Sequence, residues 1–155
     1  MNSRRSRTDG QGVATLFYDT DLNQYDFILG ASGLSAPVTV AHLHGLATPE
    51  QTAPPRVDIL GPGFTVTASG NSLLVGGFDL PSPGAIPAGN GHPTLSFLEA
   101  LQQGLVYANV HTSAFPAGEI RGQLLQVTAI PEPGTWALMA LGLAAVGGMV
   151  ARRRA

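Results

Sequence analysis

The C-terminal run from Trp136 to Ala151 sets the limits on everything else. It holds sixteen uncharged residues and ends at Arg152-Arg153-Arg154. A helix packed on a globular domain has one apolar face and one polar face, whereas this run is apolar all round. As a helix, sixteen residues reach about 24 Å, against a bilayer core of about 30 Å that usually takes about 20 residues. The span is short, and Gly142, Gly147 and Gly148 weaken it. Gly134 and Thr135 lengthen it. Trp136 suits one membrane interface, and the arginine cluster suits the cytoplasmic side. The expectation is a transmembrane or sorting helix over 136–151, with the remainder of the chain outside the cytoplasm. The chain then divides into an unstructured head (1–12), a folded body (13–128) and a tail (129–155).

Just before the run stands Pro131-Glu132-Pro133. A Pro-Glu-Pro segment, an apolar stretch and a terminal cluster formed by Arg152, Arg153 and Arg154 follow one another in order. This stretch resembles the PEP-CTERM sorting signal of Gram-negative bacteria. The resemblance implies an exosortase-type membrane enzyme as partner, and release or attachment of the body at the cell envelope. It also implies an association with exopolysaccharide and biofilm. A sorting signal is an address and takes no part in the fold. The head fits this poorly. Met1 to Gly12 starts with arginines as a signal peptide does, yet no apolar segment follows. The expectation is a lost or misassigned N-terminus.

Between the two ends the chain is punctuated by glycine and proline and has no cysteine. Disulfides, thiolate metal sites and cysteine nucleophiles are thereby excluded. About 120 residues can bury a core without such staples. Short apolar segments bounded by turn residues favour strands over a helical bundle. Strands are expected at Val13–Tyr18, Gln24–Leu29, Val38–His44, Arg56–Leu60, Phe64–Ala68, Leu73–Leu80, Leu105–His111 and Glu119–Val127. One helix is expected over Thr94–Gln103, capped by Thr94 and stopped by Gly104. The fold class is mostly β: an antiparallel, Greek-key-like β-sandwich with one short helix.

Charge narrows the partners. All positive charge comes from eight arginines, and only Arg56 and Arg121 fall between residues 8 and 128. Nine carboxylates face them there, for a net of −7. Such a body repels phosphate backbones and attracts cations, so no nucleic acid is expected as partner.

Two segments resemble the CHRD (chordin-type) domain: Ala41-His42-Leu43-His44-Gly45, and Tyr107-Ala108-Asn109-Val110-His111-Thr112 continuing through Pro116-Ala117-Gly118-Glu119-Ile120-Arg121-Gly122-Gln123-Leu124. The likeness runs from about Val13 to Leu125. It implies an exported domain with no established reaction. The family usually has a further strand before Gly12-Val13-Ala14, so the resemblance leaves an edge strand missing.

His42 and His44 stand two apart on an expected strand and so share a face. His111 ends another strand and points with Tyr107 and Asn109. If the two strands are neighbours, three imidazoles converge, a donor set suited to zinc or copper. Glu119 is then an outer partner. The plainer alternative is that each ring bonds backbone carbonyls and fixes a loop. Glu119 and Arg121 at strand spacing suggest an ion pair. His-x-His on a sandwich strand also resembles superoxide dismutase, but the chain has too few histidines for that two-metal set.

No catalytic pattern appears. Gly30-Ala31-Ser32-Gly33 is not a nucleophile elbow, Gly61-Pro62-Gly63 is not a dinucleotide loop, and Asp19-Thr20-Asp21 lacks the rest of a calcium loop. The expected function is therefore non-enzymatic: an envelope- or matrix-associated binding or structural module, which could contact exopolysaccharide or another envelope protein. The alternative is a periplasmic or extracellular metal-binding module holding copper or zinc.

Overall fold

The computed structural model describes residues 8–127. The expected helix over 136–151, the Pro131-Glu132-Pro133 segment and Arg152, Arg153 and Arg154 lie outside the described residues. Among the described residues no helix is long and apolar enough to cross a membrane.

Eight strands form two antiparallel four-stranded sheets. The first sheet has the order β1 (Gln11–Asp19), β2 (Gln24–Ser32), β6 (Ser72–Pro81), β5 (Thr65–Ser69). The second has the order β10 (Ile120–Gln123), β9 (Tyr107–Thr112), β3 (Val38–His44), β4 (Pro55–Asp58). The chain changes sheet between β2 and β3, between β4 and β5, and between β6 and β9. This strand order corresponds to that of immunoglobulin-type Greek-key sandwiches with one extra strand beside the third.

Alternation of side chains explains which faces meet. Along β2, Tyr25, Phe27, Leu29 and Ala31 are buried, while Ile28 and Ser32 are exposed. On β3, Ala41 and Leu43 point inward. Those residues join Val75, Ala108 and Val110 in one cluster shared by both sheets. Phe27, fully buried, meets Phe64 edge to face at 6.3 Å. Because Ala41 and Leu43 belong to the core, the period of two sends His42 and His44 to the outer face of the second sheet.

The segment between β6 and β9 differs from the sequence expectation. Ala85–Ile86 (β7) pairs with Leu95–Ser96 (β8), a small ladder that no periodicity announces. That ladder keeps residues 95 and 96 extended, so the helix α1 runs only over Phe97–Gln102. Its cap is Ser96 and not Thr94. The Ser96 hydroxyl and the Glu99 carboxylate close a reciprocal capping box, and the Thr94 hydroxyl instead accepts from the Ala88 amide. Gly104, at φ 65°, ends the helix as expected. Leu105 N–H bonds Ala100 and Gly104 N–H bonds Leu101, the paired bonds of a Schellman end. Ser96→Ala is expected to lower stability by about 1 kcal/mol, read as a drop in the thermal midpoint, while Thr94→Ala should cost less.

Candidate metal centre

The outer face of the second sheet brings the three histidines together. β3 and β9 are antiparallel neighbours, pairing His42 with Asn109 and His44 with Tyr107. A register shift between Val38 and Val40 sets His111 opposite Val40, diagonal to His42. Ring centroids are 5.6 Å apart for His42 and His44, 5.7 Å for His42 and His111, and 6.3 Å for His44 and His111. One ligand atom from each ring lies within 4.8 Å of the others. Nitrogens sharing a tetrahedral ion at about 2.0–2.1 Å stand roughly 3.4 Å apart. The widest pair would therefore have to draw in by at most about 1.4 Å.

Backbone carbonyls fix two of the rings. His44 Nδ1 lies 2.8 Å from the Ala53 carbonyl, and His111 Nδ1 lies 2.8 Å from that of Pro116. A carbonyl only accepts, so each Nδ1 carries the hydrogen and each Nε2 of the neutral ring keeps its lone pair. The loop-fixing role and a ligand role are therefore compatible, one on each nitrogen. The Asn109 amide donates to His111 Nε2 at 3.0 Å. His44 Nε2 and His42 Nδ1 are buried and make no hydrogen bond. Burial holds the His44 imidazole below its ordinary pKa. The Ala53 bond opposes this, while His42, His111 and Arg121 reinforce it. Burial also lowers His42, with nearby Asp58 acting against it and His111 adding to it. Both rings thus favour the neutral form that binds metals.

Around them, Tyr107 stacks flat on His44 at 4.7 Å between centroids, with 4° between planes. The guanidinium carbon of Arg121 sits 3.6 Å from the centre of the same Tyr107 ring. Arg121 also donates to the carbonyls of Gln51 at 2.8 Å and Thr48 at 3.4 Å, tying down the loop between β3 and β4. Sequence reasoning had no signal for the Ala53 and Pro116 carbonyls, because carbonyl roles leave no mark on residue type. Tyr107 and Asn109 were placed on the correct face, though not given contacts.

Two expectations about Glu119 are corrected. It neither supports the histidines nor pairs with Arg121. It stands ahead of β10, which starts at Ile120, so the alternation that turns Arg121 outward does not apply to it. Its carboxylate instead accepts hydrogen bonds from the Thr112 hydroxyl, the Thr8 hydroxyl, and the Ser35 amide and hydroxyl. His92, the fourth histidine, is half-buried and bonds Gly89 through its backbone in both directions. Asp19 closes a plain turn, its carboxylate accepting from the amides of Asp21 and Leu22. A surface cleft lies where β1 meets β10, lined by Gly12, Ala14, Val110 and Ile120 among others, and none of the three histidines borders it.

No curated protein and no solved structure matches the chain. Two family models do. Residues 129–154 match the PEP-CTERM protein-sorting motif, which implies processing by an exosortase-type membrane enzyme and marks the protein for export and membrane-anchored sorting toward the cell surface. Residues 2–124 match the CHRD domain over most of the chain's length, including both histidine-bearing strands, and the chain accordingly belongs to the CHRD domain family.

Proposed function

We propose that the chain is a non-enzymatic CHRD module, displayed at the envelope or in the extracellular matrix once an exosortase-type enzyme has acted on its tail. The observation carrying this reading is the order of the two matches: the sorting motif at 129–154 directly follows the domain at 2–124. The apolar run over 136–151 supplies the transient membrane contact, and the acidic body is the part delivered. Its fitting partners are exopolysaccharide or another envelope protein. An internally tagged full-length chain should fractionate with membrane or extracellular material. Replacing Pro131, Glu132 and Pro133 by alanine should leave an uncleaved form in the membrane. A cytosolic location with an intact tail would overturn the reading.

A second reading is favoured by a specific observation, the two buried and unpartnered nitrogens His42 Nδ1 and His44 Nε2 beside His111. In that reading the module's ligand is a copper or zinc ion held by His42, His44 and His111. Elemental analysis after metal loading should give one ion per chain. A His42→Ala/His44→Ala double variant with unchanged stoichiometry would remove the idea.

A further inference from the structure

An ion on this face would be left short of a ligand. Three neutral imidazoles supply no negative charge of their own, so the ligand set leaves a divalent ion's +2 uncompensated. Among the described residues no carboxylate joins the three histidines in the cluster. Asp58, across the sheet from His42, stands outside that cluster, its Oδ1 turned to the Leu60 amide at 2.9 Å, and contributes negative charge nearby rather than a ligand. Arg121, one aromatic ring away from His44, adds positive charge. Three nitrogen donors also leave the fourth tetrahedral position open, the arrangement of sites that take an exogenous ligand.

Asn109 indicates what kind of ligand. Its amide donates to His111 Nε2, the lone pair that a metal would take over. Its side chain is buried and wedged against Gly118, where a Cβ would stand 2.7 Å from the amide nitrogen. It therefore cannot swing far. Once His111 turns its lone pair to an ion, the released amide hydrogen lies beside that ion with no partner. A ligand with two oxygens satisfies both demands, one oxygen on the metal and the other accepting from Asn109.

Resting on the metal reading above, we propose that His42, His44 and His111 hold a copper(II) or zinc(II) ion whose fourth ligand is a carboxylate from outside the chain, received by the Asn109 amide. The same chemistry comes from a free carboxylic acid or from an acidic sugar polymer. The ion makes an acidic module bind an anionic partner that its net charge would otherwise repel.

The test uses the full-length chain in detergent, loaded with copper(II) and followed by electron paramagnetic resonance. One copper per chain is expected, with a spectrum that acetate shifts saturably and acetamide does not. Asn109→Ala should keep the stoichiometry and weaken acetate about tenfold, the loss of one hydrogen bond to a charged group. Polygalacturonate in place of acetate identifies the source: a shift at lower carboxylate concentration assigns the polymer, and an equal one assigns a free acid. If copper binds stoichiometrically and acetate leaves the spectrum unchanged, the fourth-ligand proposal fails and the metal reading stands. If no copper binds at neutral pH, both fail.

Discussion

In chelator-treated solution the His42→Ala variant is expected to unfold at nearly the same urea concentration as the parent, yet to lose the stabilisation that zinc confers on it. The first half follows from what His42 does without metal. Its Nδ1 is buried and unpartnered, and a buried polar atom with no hydrogen bond costs about 1–3 kcal/mol. Removing it offsets the packing lost when a half-buried ring is cut back, so the net change should stay within about 1 kcal/mol. The second half is mass action. A ligand that binds the folded chain alone, at a thousandfold excess over its Kd, stabilises by about 4 kcal/mol. A three-nitrogen site deprived of one donor loses nearly all of that. Paired urea titrations with chelator and with zinc measure both halves. Equal zinc stabilisation of parent and variant would show that the ion sits elsewhere. A large chelator-state loss would show that His42 is a structural side chain after all.

The sequence marked this face clearly because strand alternation is a strong rule. Once Ala41 and Leu43 are read as core, His42 and His44 have only the outer face left to them. Adjacency of β3 and β9 was a condition that residue types could not settle. It follows from the strand order, in which a segment passing through β7, β8 and α1 returns the chain beside β3. The helix was legible in kind, and its start was misread, because the two-residue ladder of β7 and β8 is too short to leave a period. Glu119 was misread for a related reason. Spacing predicts a face only inside a strand, and Gly118, with φ at 111°, resets the chain direction just before it. The tail was the plainest signal of all, since a sorting signal is recognised as a linear string and needs no tertiary context.

Glu119 carries the largest expected effect of acid on the fold. Its carboxylate joins three separate parts of the chain: Thr8 ahead of β1, Ser35 between β2 and β3, and Thr112 at the end of β9. Burial by itself would raise its pKa, but the hydrogen bonds from Thr112, Thr8 and Ser35 outweigh it and hold the group at about 2, below its ordinary 4.5. A carboxylate depressed in the folded state contributes stability that is complete above its unfolded pKa and is lost as pH falls through the folded value. The contribution is thus full at neutral pH, declines from about pH 5 and is gone near pH 2. Glu119→Gln keeps the shape but removes the charge, and places amide hydrogens among donors that have nothing to accept them. We expect it to cost about 2 kcal/mol at pH 7, and to make the chain's stability less steep between pH 5 and pH 2 than the parent's. Denaturant titrations of both proteins across that range decide the matter. Parallel pH profiles would mean that the clamp contributes no acid sensitivity, and that the losses come from other carboxylates of the acidic body.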